Sequence, residues 1–176
     1  MSTAPEQTTL RNATPLDGAR IHEFAAACPP LELNTTYAYV LMATHFAASS
    51  AIAEDSDGLA GYVVGYRLPE DPETLFVWQI GVHPRARGTG LARKLLNFLI
   101  HRPGKHPVRY LEATVAPSNE ASQRLFRGFA KSMDVPCEVR PCFTAEHFGG
   151  NQHEPEALFR VGPFSAAPQE TGESNP

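Results

Sequence analysis

Two hydrophobic periods alternate along the chain. TLRNAT (9–14) has the short alternation of a first strand, and PLDGARIHEFAAAC (15–28) the wider spacing of a helix, with Pro and Asp in its first turn and Pro29 and Pro30 closing it. Asn34 is placed to cap TTYAYVLMATHFA (35–47), a helix apolar on more than one side and expected to be well buried. SAIAED, LAGYVVGYRL and TLFVWQIGV follow, separated by the turn-rich DSDG and PEDPE, the pattern of an antiparallel meander. The last of these, 74–82, is apolar on both faces and is expected to be central. Leu91, Leu95, Phe98 and Leu99 then form a helical stripe that ends near HRPGKHP. VRYLEATV (108–115) reads as a strand, and Ser118 or Asn119 caps a helix carrying Leu125, Phe126, Phe129 and Met133. CEVRPCF and EALFRVG supply the final strands. The order is strand, two helices, three strands, helix, strand, helix, two strands, which predicts an α+β domain with helices on a largely antiparallel sheet.

Composition narrows this picture. With 176 residues, no internal repeat and no linker, the chain is expected to form one domain over 8–162, between flexible tails at 1–7 and 163–176 that are polar and rich in Pro, Gly and Glu. A net charge of −4 gives no general attraction to nucleic acid or an anionic membrane, so a basic site must be local, and Arg85, Arg87, Arg93 and Lys94 supply one. No apolar run approaches the roughly 20 residues of a membrane span, and the first residues lack the pattern of a secretory signal, so a cytoplasmic protein is expected. Cys28, Cys137 and Cys142 have neither disulfide-framework nor CxxC spacing and are read as small buried apolar residues. The seven histidines are scattered, and no metal site is expected.

The densest chemistry lies in GVHPRARGTGLARKLLNFLI (81–100), where an Arg/Gly loop joins a strand to a helix. A helix start leaves about four backbone N–H groups without intrahelical partners and carries the positive end of the dipole, a setting for phosphate. Gly88 and Gly90 clear side chains from the backbone, and Arg85 and Arg87 add charge. The spacing fits neither GxxxxGK followed by Ser/Thr nor GxGxxG, which disfavours a nucleoside triphosphatase or a dinucleotide dehydrogenase.

Arg85, Gly88 and Gly90 instead form R-x-x-G-x-G after a strand ending WQIGVHP. This resembles the acetyl-CoA pyrophosphate loop of the GNAT superfamily of N-acetyltransferases. APSNEASQRLF resembles the Asn-led helix that packs on the pantetheine arm. The resemblance implies the GNAT fold with acetyl-CoA as co-substrate and no metal. The backbone of Arg87, Gly88, Thr89, Gly90, Leu91 and Ala92 would hold the pyrophosphate, the edge at Ile80 and Val82 the pantetheine amides, and Asn119 and Ser122 the CoA arm. LELNTTYAYVLMATHFA, LFVWQIGVHPRARGTGLARKLL, RYLEATVAPSNEASQRLFRGFA and HFGGNQHEPEALFRVG are together similar to the L-2,4-diaminobutyrate acetyltransferases of ectoine biosynthesis, from about residue 8 to 162. That family implies direct transfer of acetyl to the N4 amine, and homodimers.

Such an acceptor, a zwitterion with a second ammonium, needs carboxylates, donors and an aromatic wall. Glu112 lies mid-strand and shares a face with Tyr110 and Thr114; it is either an acceptor contact or half of an ion pair on a wet face. Trp78, the only tryptophan, is core or pocket wall. Glu32, Tyr37 and Tyr39 flank the start of the second helix, in the connection GNAT folds commonly use for the acceptor. The two tyrosines point to different faces. NQHEPE places Asn151, His153, Glu154 and Glu156 in a loop that is either solvated or a lid over the ammonium groups. An alkylammonium must lose a proton before attack. His153 is suited as base without adjustment, whereas Glu156 or Glu112 needs burial or a bound water.

Three departures from the family matter. Phe126 stands where GNAT enzymes often carry a tyrosine acid, which leaves that role vacant or to Tyr37. Glu32 replaces a frequent Asp, and Asn151 an acidic residue. The alternatives are a GNAT enzyme for another small amine, such as a polyamine, an aminoglycoside or a different diamino acid, and a CoA-binding domain without catalysis.

Overall fold

The computed structural model describes residues 8–150 and 153–165. The expected tail at 1–7, residues 166–176 of the C-terminal tail, and Asn151 lie outside the described residues. The elements are β1 (Thr9–Asn12), α1 (Asp17–Ala27), α2 (Thr36–His45), β2 (Ala51–Asp55), β3 (Gly58–Leu68), β4 (Asp71–Val82), α3 (Leu91–Ile100), β5 (Tyr110–Val115), α4 (Glu120–Ser132), β6 (Cys137–Phe143) and β7 (Glu156–Val161). They form a seven-stranded sheet in the order β1-β2-β3-β4-β5-β7-β6, antiparallel except for β4 against β5. The apolar run at 74–82 is indeed in the central strand. That strand begins earlier than its composition indicates, because Leu68 pairs with Asp71 and only Pro69 and Glu70 make the turn.

Each face of the sheet carries two helices. Leu91, Leu95, Leu96 and Leu99 of α3 and Phe126, Phe129 and Ala130 of α4 pack with Ala51, Val63, Leu75 and Leu111. Ile21, Phe24 and Ala25 of α1 and Tyr39, Met42 and Ala43 of α2 pack on Ile52, Tyr62 and Val64. The alternation Ala51, Ile52, Ala53 thus sends neighbouring side chains to opposite layers, as the pleat requires. Phe164 closes the first layer against Phe129, with its N–H donated to Arg109 O at 2.8 Å.

Several readings need correction. Thr35, not Asn34, caps α2: its hydroxyl accepts from Ala38 N at 3.2 Å. Only Tyr39, Met42 and Ala43 of α2 are buried, and Tyr37 is 70 % exposed, because α2 lies at the rim of its layer. Of the cysteines only Cys28 is buried; Cys137 is half-buried and Cys142 exposed, since both lie on the edge strand β6.

The first connection is fastened by charge. Asp17, 1 % exposed, accepts from both Arg11 terminal nitrogens (2.8 and 2.9 Å), from Thr14 N and Oγ1 (2.8 and 2.9 Å) and from Arg20 (2.8 Å). Glu54 receives Arg11 Nε at 2.8 Å and Arg20 Nη2 at 2.6 Å. Burial alone would raise the Asp17 carboxyl, but these donors outweigh it and bring it down to about 2. β1, α1 and β2 are thereby tied at one point.

Two irregularities distinguish β4 from its neighbours. Val64 pairs with Gln79 and Gly65 with Val77, so Trp78 is the extra residue of a bulge. Against β5, β4 pairs through Thr74, Leu75 and Phe76 alone among the described residues; beyond them the strands separate and β5 continues beside β7.

Candidate active site

The strand end at Val82 leads into a short 3-10 turn, Pro84–Ala86, stabilised by His83 Nδ1 accepting from Arg85 N at 3.3 Å. Thr89 Oγ1 donates to Ala86 O at 2.7 Å, closing the loop on itself. Gly88 and Gly90 have φ of +77° and +80°, the left-handed region where glycine escapes the Cβ penalty. A Cβ on either would meet nothing within 4 Å, so open space lies in front of this backbone. Gly90 is the N-cap of α3 and offers no side-chain acceptor. The helical ladder begins at Lys94 N to Gly90 O, 3.1 Å, and the N–H groups ahead of it face a cleft of about 540 Å³.

Val82, Ala86, Arg87, Gly88, Thr89, Gly90, Leu91, Ala92 and Arg93 line this cleft, joined by Arg124 and Leu125 from α4. The structure therefore gathers the loop residues expected to bind phosphate. Arg85 is a correction: its guanidinium binds Asp55 Oδ1 at 2.8 Å and Leu59 O at 3.3 Å, so it braces the loop against β2 and β3. Arg124 takes its place at the cleft, a residue the motif could not indicate because it comes from another helix. The pair Arg85–Asp55 in turn holds the Asp55 carboxyl below its ordinary value.

Ile80 and Val82 lie on the stretch of β4 beyond its last pair with β5, where the strand edge is open to a ligand. Across the gap, Asn119 caps α4 by accepting from Ser122 N at 3.1 Å, which places both residues at the start of that helix. Phe126, one turn further on, is 2 % exposed and packs toward Phe159 at 6.3 Å between ring centres. It offers no proton to the gap.

The other predicted residues fall into two groups. In the first, Tyr39 Oη donates to Gln79 Oε1 at 2.8 Å, the Tyr39 ring lies 5.9 Å from that of Trp78, and Gln79 Nε2 donates to Glu32 O at 2.6 Å. Glu32, Tyr39 and Trp78 are thus brought together through Gln79, which sequence reasoning did not single out. The signal was a lone amide inside an otherwise apolar strand. Tyr37, on the exposed side of α2, is not joined to this group by any contact described.

The second group lies on β5, β7 and the loop before β7. Glu112, 5 % exposed, receives Arg160 Nη1 at 2.5 Å, and the Arg160 guanidinium lies 3.7 Å from the centre of the Tyr110 ring and 3.8 Å from Asp71. The buried carboxylate is therefore paired. Thr114 follows on the same face, opposite Leu158. His153 stacks on Phe148 at 3.9 Å, its Nδ1 lies 2.7 Å from Glu154 O, and its Nε2 lies 3.9 Å from Glu156 Oε1. A carbonyl only accepts, so Nδ1 donates to it and Nε2 is the ring nitrogen on the Glu156 side. Glu154 Oε2 accepts from Ser118 N at 3.0 Å, fastening this loop to the turn that begins α4. Burial raises the Cys142 thiol; Arg140 opposes this, and Glu112 and Glu156 add to it.

Among the described residues no helix is long and apolar enough to cross a membrane. No group of His, Cys, Asp and Glu suited to a metal ion is present among them.

The sequence profile of the acetyltransferase (GNAT) family matches residues 19–129. An L-2,4-diaminobutyric acid acetyltransferase from Chromohalobacter salexigens is 44 % identical over 165 residues, covering 93 % of this chain and 85 % of that protein. Its counterpart from Halomonas elongata is 44 % identical over 156 residues, covering 88 % and 81 %. Among solved structures, the diaminobutyrate acetyltransferase EctA from Paenibacillus lautus, in complex with its substrate L-2,4-diaminobutyric acid and coenzyme A, superposes with a TM-score of 0.85 at 38 % identity, covering 92 % of this chain and 98 % of that one. Ard1 from Thermoplasma volcanium, at 12 % identity and a TM-score of 0.69, shares the fold.

Proposed function

The chain belongs to the acetyltransferase (GNAT) family and, within it, to the L-2,4-diaminobutyric acid acetyltransferases, and from that premise we propose how its own residues carry the reaction. It transfers acetyl from acetyl-CoA to the N4 amine of L-2,4-diaminobutyrate, giving N4-acetyl-L-2,4-diaminobutyrate for ectoine biosynthesis, by direct transfer in a ternary complex. The observation that carries this reading is the glycine-led start of α3 beside the unpaired stretch of β4, a backbone surface open to a phosphate and an extended amide chain.

Acetyl-CoA supplies the activated thioester. The N–H groups of residues 87–92 receive its pyrophosphate, Ile80 and Val82 offer main-chain partners to the pantetheine arm, and Asn119 and Ser122 flank it. Glu32 faces an ammonium of the acceptor, with Trp78 as its aromatic floor and Tyr39, fully buried, supporting that floor from beneath. Glu112 and Thr114 contribute polar groups from β5, Glu156 from the start of β7, and Asn151 from the stretch before it. His153 Nε2 removes the N4 ammonium proton, and Glu156 stabilises the imidazolium formed. The freed lone pair attacks the thioester carbonyl, the C–N bond forms as the C–S bond breaks, and the departing thiolate takes a proton, a role open to Tyr37.

Release of CoA thiol with L-2,4-diaminobutyrate, set against ornithine, lysine and a polyamine, tests this, with the acetylated nitrogen assigned by NMR. Preference for the four-carbon diamino acid acetylated at N4 is expected; preference for another amine would overturn the substrate. A second reading, CoA binding without catalysis, is favoured by the burial of Phe126 where a tyrosine acid often stands, and predicts no thiol release with any amine.

We also propose a cytoplasmic homodimer. The exposed Val139 and Phe143 on edge strand β6 support an association surface, and the absence of a membrane-spanning helix among the described residues is compatible with the location. Sedimentation velocity would reveal a monomer, and cell fractionation a different compartment, if either part is mistaken.

A further inference from the structure

We propose that Gln79 is a positioning residue for the acceptor: its side-chain amide fixes the loop between α1 and α2, and with it the Glu32 carboxylate, relative to Trp78. The inference rests on the reading of Glu32 as an acceptor contact.

The bulge at Trp78 makes this arrangement possible. It interrupts the alternation of β4, so that Trp78 and Gln79 both serve the α1–α2 layer, while Ile80 and Val82 return to the other. Gln79 Oε1 accepts from Tyr39 Oη at 2.8 Å and Tyr62 Oη at 2.6 Å, occupying both of its lone pairs. Nε2 then donates to Glu32 O at 2.6 Å. The amide has one orientation here, because reversing it would set an oxygen against the Glu32 carbonyl. Burial raises the Tyr62 hydroxyl far above neutrality, so it stays a donor throughout the working range.

Tyr39 Oη also accepts from Asn34 N at 3.4 Å and lies 3.4 Å from Glu32 O, so the loop backbone hangs from this cluster at two residues. A second fastening comes two residues along β4. A Cβ at Gly81 would lie 2.9 Å from Leu31 Cδ1, 2.8 Å from Tyr62 and 3.2 Å from Phe24, so the bare glycine leaves the space that the Leu31 side chain occupies. Leu31 anchors the loop by packing. Gln79 sets its position through the main chain of the residue that carries the carboxylate.

Gln79→Glu is the direct test, because a carboxylate still accepts from both tyrosines but cannot donate to Glu32 O. KM for L-2,4-diaminobutyrate should rise about tenfold, the equivalent of one lost hydrogen bond, with KM for acetyl-CoA within about twofold. Gln79→Met, which introduces no buried charge, should do the same if Gln79→Glu fails to fold. Tyr62→Phe, which removes a hydroxyl but leaves the Glu32 bond, should leave acceptor KM unchanged. In a Glu32→Gln background, Gln79→Met should add less than about twofold, since the carboxylate it positions is gone. Full additivity, or an equal rise in KM for both substrates, would overturn the proposal. Unchanged acceptor KM in Glu32→Gln alone would instead defeat the reading of Glu32 on which it rests.

Discussion

Replacing Gly88 by valine asks what the loop before α3 is for. At φ +77° a side chain costs roughly 1–2 kcal/mol of backbone strain, somewhat more for a β-branched residue. Because nothing lies within 4 Å of the added Cβ, no clash with the protein contributes, and the fold should survive with a modest drop in Tm. The larger effect should fall on the donor. The new side chain points into space the pyrophosphate would occupy, and losing one or two charge-assisted hydrogen bonds there, at about 1.5–3 kcal/mol each, weakens acetyl-CoA by between about tenfold and some ten-thousandfold. Gly58→Val is the control for strain at positive φ, with φ of +104°, equally open surroundings and a place at the start of β3, outside the residues that line the cleft. Isothermal titration with acetyl-CoA beside thermal melts separates the two consequences. If both variants lose similar stability and Gly88→Val binds acetyl-CoA like the unaltered protein, the loop does not bind the pyrophosphate.

The charged groups give further expectations. Asp17 titrates near 2 when folded against 3.8 as its ordinary value, so its contribution is present above about pH 4 and lost as the pH falls toward 2; the shift corresponds to about 2 kcal/mol. Urea unfolding of Asp17→Asn should show that loss at pH 7 and a flatter dependence below pH 4, whereas parallel pH curves would contradict it. His153→Gln should lower kcat by about 10²–10⁴, and Glu156→Gln by less; an unchanged kcat in His153→Gln would exclude this base. Arg160→Met leaves Glu112 buried without its cation and should destabilise the fold by about 3–5 kcal/mol, part of which Glu112→Gln in the same chain restores. Equal melting of the single and double variants would show that the pair is not coupled.

The sequence made the architecture legible where periodicity is strong, as in α3 and α4, whose apolar stripes lie in the core. It misplaced the start of α2 because Asn34 and Thr35 are adjacent capping residues, Asn the more favoured, and only the backbone decides which side chain reaches Ala38 N. It made α2 too buried because apolar composition alone cannot show that Tyr37 points outward. The position of the glycine loop was readable since strand, loop and helix follow one another in sequence. Arg85 was misassigned because its partner Asp55 is thirty residues away and meets it only through the β2–β3 hairpin. Glu112 could be narrowed to two roles, and the register of β7, which sets Arg160 opposite it, then supplied a partner 48 residues distant. Gln79 was passed over because a hydrogen-bond hub depends on which hydroxyls the fold brings to it.

The early parting of β4 from β5 bears on how this enzyme can change over evolution. What the gap offers a thioester donor is peptide groups, which every amino acid supplies alike, so most substitutions along its rim leave the donor's requirements intact. What is proposed to meet the acceptor is a handful of individual side chains on separate helices, strands and loops, each replaceable on its own. Drift should therefore alter which amine is accepted long before it alters which coenzyme is used, and a new specificity can arise without rebuilding the half of the site that carries the acetyl group.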